Sequence, residues 1–136
     1  MKIGFTGTRE GMTQKQAMEV ADVLFHFVRT IDEVAVHHGC CVGADDDFHK
    51  LAKWLGLPIY LHPPENDSLV VVQHFIDVPE SRIEMKKPYL ERNKRIVECT
   101  DVLIATPKSV AVQKGGTWHT INCAAELNRE RYVIAP

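Results

Sequence analysis

At 136 residues, with 45% hydrophobic and 25% charged side chains, the chain has the size and composition of one globular domain built on a central sheet with covering helices. The 16 basic and 18 acidic residues leave a formal net charge of -2, which excludes a general electrostatic pull towards nucleic acid or acidic membrane, so any anion binding must be local. No run approaches about 18 apolar residues and no basic leader precedes the first strand, so neither a membrane span nor a secretion signal is expected, and a cytoplasmic protein is.

Residues 2–5 read as a short strand, and Gly4, Gly7 and Gly11 then space a loop that carries Thr8 and Arg9. This is the first phosphate-type turn, although its spacing differs from a dinucleotide fingerprint and Arg9 could equally be a solvated charge. Thr13 and Gln16 form a capping box, and Ala17, Val20, Ala21, Leu24 and Val28 recur at helical spacing, predicting a helix over 14–29. Residues 33–37 read as a second strand, and the run from His38 to Asp45 follows as a second loop, with Gly39, Gly43 and Ala44 in it. Phe48, Leu51, Ala52 and Leu55 carry a helix to Gly56. Asp45, Asp46 and Asp47 in its first turn either complement the helix dipole or, for one of them, accept ribose hydroxyls.

His37, His38, Cys40, Asp45 and His49 have metal-ligating side chains, but no second spaced pair completes a tetrahedral set, so no metal is expected. Cysteines 40, 41, 99 and 123 lack metal-knuckle spacing and suit a reducing compartment. Cys40 and Cys41 read as small packing residues, with a reactive thiol as the alternative. Residues 57–61 predict a third strand ended by Pro63 and Pro64. Over 65–87 the pattern is weak: 69–72 suits a short strand, and the remainder is either a flap over a ligand or a surface excursion.

Pro88 opens a further helix that Leu90, Ile96 and Val97 carry to Cys99, with Arg92, Asn93 and Arg95 on its polar side. Residues 101–105 are almost continuously apolar, as in a parallel strand buried on both faces. Lys114, Gly115, Gly116, Thr117 and Thr120 follow it at the start of a helix containing Ile121, Ala124 and Ala125. There paired glycines allow close approach of a ligand, and hydroxyls either cap the backbone or meet a phosphate. Trp118 either stacks on a base or belongs to the core. Residues 132–135 complete the alternation, which predicts an α/β fold: one doubly wound, Rossmann-like domain with a mostly parallel sheet of about five strands. In such a sheet all three glycine loops follow strands, so they share one rim, where a phosphorylated nucleotide would bind.

Gly7, Thr8 and Arg9; His38 and Gly39 with Gly43, Ala44 and Asp45; Pro88 to Asn93; and Gly115, Gly116 and Thr117 with Thr120 together resemble the SLOG superfamily, the YpsA-related branch above all. That group also holds the lonely-guy phosphoribohydrolases, molybdenum-cofactor carrier proteins and the Rossmann part of DprA. The resemblance implies a binder of a nucleotide or nucleotide derivative, without a required cofactor and as a homo-oligomer. In lonely-guy enzymes an arginine matching Arg92 works with a glutamate three residues after the Gly-Thr pair, and here that place is Thr120, which cannot act as a carboxylate. Asp45 is left as the other candidate catalytic residue. The form Gly116, Thr117, Thr120 is similar to the loop DprA uses with single-stranded DNA, but only Trp118 and Tyr89 could stack bases near it, which argues against nucleic acid.

Overall fold

The computed structural model describes residues 1–136 as a single α/β domain with five parallel strands and five α-helices. In chain order these are β1 (Lys2–Gly7), α1 (Gln14–Thr30), β2 (Ala35–His38), α2 (Ala44–Trp54), β3 (Ile59–Leu61), α3 (Val72–Asp77), α4 (Tyr89–Glu98), β4 (Val102–Thr106), α5 (Gly116–Glu126) and β5 (Glu130–Val133). The strand order is β3-β2-β1-β4-β5, and every pairing is parallel. The central pair β1 and β4 is the longest ladder, running from Ile3 beside Val102 to Gly7 beside Thr106.

Side-chain alternation along the strands builds one core on each face of the sheet. Ile3, Phe5, Val36, Val102 and Ile104 meet Val20, Leu24 and Phe27 of α1 and Phe48 and Ala52 of α2, where Phe5 and Phe48 stack with ring centres 4.2 Å apart. Leu103 and Ala105 turn the other way, against Val97 of α4 and Trp118, Ile121 and Ala124 of α5. Helix α1 starts as its sequence dictates: Thr13 accepts from the backbone N–H of Gln16, and the Gln16 side chain accepts from that of Thr13. The Gln16 amide N–H groups also donate to the carbonyls of Pro107 and Ile134, both at 2.9 Å, so this cap ties α1 to the segments after β4 and β5.

Residues 65–87 depart from the sequence reading. Residues 69–71 make one antiparallel bridge, Cys41 with Val70, and no strand, while Val72 begins a helix. Helix α3 inserts His74 and is followed by buried Val78, and Glu80–Arg82 forms a turn of 3-10 helix. The chain then runs along the outer edge of β3, with the N–H of Glu84 donating to Leu61 O at 2.9 Å. It covers an edge whose N–H and C=O groups would otherwise be unpaired. Residues 65–87 border no part of the large cleft described below.

Candidate functional site

Helices α1 and α2 leave the sheet on one face and α4 and α5 on the other, so the chain parts at the carboxyl ends of β1 and β4. A crevice opens at that reversal, as in other open α/β sheets. It is a cleft of about 890 Å³, within the range of small-molecule pockets. Gly7, Thr8, Arg9, Gly39, Asp45, Arg92, Asn93, Gly115, Gly116 and Thr117 line it. Three other residues singled out from the sequence, Gly43, Ala44 and Thr120, do not.

Each of the three is spent on packing. Gly43, at φ 85, lies where a Cβ would overlap the backbone carbonyl group of Arg9. Ala44 is fully buried, and its N–H donates to Thr8 O at 2.9 Å. Thr120 is fully buried, and its hydroxyl donates to Gly116 O at 2.9 Å. The first and second glycine loops are thus crossed and bonded to each other, and they form one wall of the cleft.

The opposite wall is α5. Its N-cap residue Gly115 has φ 96 and no side chain caps the helix, so the first-turn N–H groups carry their partial positive charge towards the cleft. Gly116 stands in open space, the nearest atom to a Cβ there being Asn93 Nδ2 at 3.8 Å. Trp118 belongs to the core, only 8% exposed, with its indole N–H donating to Ser109 O at 2.8 Å and one edge reaching the cleft.

Between the walls lies the polar floor. Helix α4 turns Arg92, Asn93, Ile96 and Val97 inward together, so Arg92 and Asn93 are buried and not on a solvated side, whereas Arg95 is partly exposed. The Arg92 guanidinium donates to Gly39 O, to His62 O at 3.1 Å and to Asn93 Oδ1 at 2.9 Å, and Nη2 lies 3.9 Å from Cys41 Sγ. It is first a clamp that joins α4 to the ends of β2 and β3. Arg9 and Lys114 are the cleft cations without an ion pair, and the Arg9 guanidinium rests over the Tyr89 ring at 5.4 Å, with Arg92 also 5.3 Å from that ring. Tyr89 and Lys108 also line it, and Lys108 pairs with Glu10 at 2.8 Å across the mouth.

Asp45 is the one carboxyl on the floor, 8% exposed, accepting from the Cys41 N–H at 3.2 Å. Burial pushes its pKa up from 3.8 to about 6, against the opposing pull of Arg92 and the N–H groups of Cys41 and Gly39. The folded chain therefore holds this proton more tightly than the unfolded one, and stability falls as pH rises from about 4 through 6. Asp45→Asn is expected to stabilise the fold by about 1 to 3 kcal/mol above pH 6 and to change nothing below about pH 4. Urea denaturation of both proteins at pH 4 and pH 7.5 checks this, and equal stability at both would mean that Arg92 fully offsets the burial. Burial and Asp45 also raise the Cys41 thiol, which is protonated and not a thiolate nucleophile.

The ligating side chains noted in the sequence separate into two groups. His38 and His49 meet His74, while His37 meets His62 and Cys99. Cys40 and Asp45 join neither. His62 and His74 are fully buried partners that the sequence reading missed, because His62 follows β3 outside any regular element and His74 sits on α3, a helix of six residues that is too short to show a period.

No protein-family model matches the chain, and no curated protein is similar to it in sequence. Three solved structures are similar in fold. TM1055, a structural genomics target, superposes with a TM-score of 0.62 at 15% identity over 96% of this chain and 71% of its own. DNA processing protein A (DprA) from Streptococcus pneumoniae gives a TM-score of 0.70 at 17% identity over 97% of this chain, and that from Helicobacter pylori gives 0.69 at 17% over 98%. The chain spans 49% and 64% of those two proteins, and the second was solved for its single-stranded DNA binding mode. DprA is one of the proteins that the motifs resemble, and what the chain shares with all three structures is the Rossmann-like fold.

Proposed function

We propose that the cleft binds a phosphorylated nucleotide or nucleotide derivative and that the domain acts as a sensor or carrier. The observation that carries this is the uncapped N terminus of α5 at Gly115 and Gly116, facing a cleft that also presents the unpaired Arg9. A phosphate seated there would accept from backbone N–H groups and from the guanidinium. Tyr89 offers an aromatic face beside it, and the volume suits a nucleotide.

Gly116→Val is expected to fold normally, since its Cβ meets nothing closer than 3.8 Å, while its methyl groups occupy the approach to the helix terminus. Calorimetry against a nucleotide library that includes ADP-ribose and NAD-like compounds should show affinity lost by at least about tenfold. Unchanged affinity in the folded variant would mean that the loop is only a turn.

A second reading, hydrolysis of a nucleotide glycosidic or phosphate bond, is favoured by one observation: a carboxyl of pKa about 6 sits on the cleft floor at Asp45. Against it, the position matching the phosphoribohydrolase glutamate is a buried threonine bonded to its own helix. Chromatography of nucleoside monophosphates after incubation separates the two, because a binder releases neither free base nor nucleoside. The similarity to DprA adds no independent support for single-stranded DNA, since the cleft presents few stacking aromatics and the net charge is -2.

A further inference from the structure

Away from the cleft, two clusters bring three metal-ligating atoms within 4.8 Å of one another: His37, His62 and Cys99 on the α4 face, and His38, His49 and His74 between β2, α2 and α3. Hydrogen bonding distinguishes them. In the first, His37 Nδ1 and His62 Nε2 share a bond of 2.8 Å, and the outer nitrogens, His37 Nε2 and His62 Nδ1, have no partner. A cation replacing the shared proton would leave both outer nitrogens as buried N–H groups without an acceptor, which is costly.

The second cluster has the opposite character. His49 Nε2 lies 2.9 Å from Asp77 Oδ2, and His74 Nε2 lies 2.8 Å from Asp46 Oδ1. Facing carboxylates, these nitrogens carry the protons, so each ring keeps its Nδ1 lone pair for the other side. The carboxylates are themselves held in place. Lys53 and Gln73 bond the second oxygen of Asp77, and Lys50 that of Asp46. His49 Nδ1 is 2.8 Å from His38 Nε2, and His74 Nδ1 is buried with no partner. The three rings are 0%, 2% and 1% exposed for His38, His49 and His74. A carboxylate behind the imidazole is the arrangement that fixes tautomer and orientation in metal-ligating histidines.

We propose that His38 Nε2, His49 Nδ1 and His74 Nδ1 form a site for a divalent transition metal of the zinc type, with Asp77 and Asp46 orienting two of its ligands. Imidazole nitrogens suit zinc and its neighbours, and the two carboxylates compensate the charge brought into a dry interior. The cation also supplies a partner for the orphaned His74 nitrogen. Its cost falls on His38, whose Nδ1 accepts the Cys40 N–H at 3.0 Å, so that the neutral ring carries its proton on Nε2. When the cation takes Nε2, that proton moves to Nδ1 and the Cys40 N–H turns away. Cys40 is at φ 67, a left-handed conformation unfavourable for a residue with a Cβ, so this turn has a reason to move. Cys41, next along it, lines the cleft.

Titration of the chelator-treated protein with Co²⁺ tests the site. One Co²⁺ per chain is expected, with visible ligand-field bands, no thiolate charge-transfer band, and displacement by Zn²⁺. His74→Gln should abolish the bands. Asp46→Asn, altering a carboxylate that does not ligate, should weaken Co²⁺ binding by about tenfold or more, and it carries the test if His74→Gln fails to fold. Two results would overturn the proposal: no Co²⁺ bound by the folded protein, or a thiolate band that vanishes in Cys99→Ser and so puts the ion in the other cluster.

Discussion

Arg92→Ala is expected to destabilise the protein by roughly 3 to 5 kcal/mol, the scale for removing one partner from a buried charged network. The guanidinium is 6% exposed and bonds the carbonyls of Gly39 and His62 and the side chain of Asn93. Alanine leaves all three acceptors without that donor in a space water reaches poorly, and it leaves a cavity under the Gly39 turn. Arg92→Lys should recover only a small part, because a single ammonium cannot span acceptors on α4, β2 and the end of β3 at once. Thermal and urea unfolding of the three proteins would show it. A variant as stable as the parent that nevertheless loses nucleotide affinity would make Arg92 a ligand contact and not a clamp.

Gly43→Ala is expected to cost about 2 to 5 kcal/mol although no ligand need touch it. At φ 85 a residue with a Cβ is strained, and here the added atom would also overlap the carbonyl group of Arg9 and press on Thr8 O. Those neighbours are backbone, so no side chain can swing aside. Thr8 O meanwhile accepts from Ala44 and from Gly11, and pushing the loops apart breaks the contact that builds the first wall of the cleft. Gly116→Ala is the control: with open space and no left-handed φ, it should unfold within about 1 kcal/mol of the parent. Equal loss in both variants would show that the loops tolerate separation and that the wall is held elsewhere.

Arg92 and Asn93 show how a buried polar face can be legible in advance. Ile96 and Val97 are plainly core, and one helical turn back from them stand Arg92 and Asn93, on the same face. Periodicity therefore puts the two polar residues inside, and only their polarity suggests solvent. What the chain alone does not reveal is the acceptors: Gly39 and His62 lie 53 and 30 residues away in sequence.

The parallel fold and its glycine-lined rim were determined by the sequence itself, because they follow from local regularities. Alternating apolar strands and amphipathic helices leave one chain direction, and glycines after strands leave one end for close approach. The Thr13 capping box and the apolar β4 were readable for the same reason. Only the tertiary structure decided which glycine faces the cleft and which faces backbone, which threonine is capped inside its own helix, and which histidines meet. His38, His49 and His74 are brought together by the packing of α3 beside α2, and the six residues of α3 are too few to show a period. Burial, tautomer and the pKa of Asp45 depend on neighbours distant in sequence, whose placement comes from packing the whole domain and from no stretch of it alone.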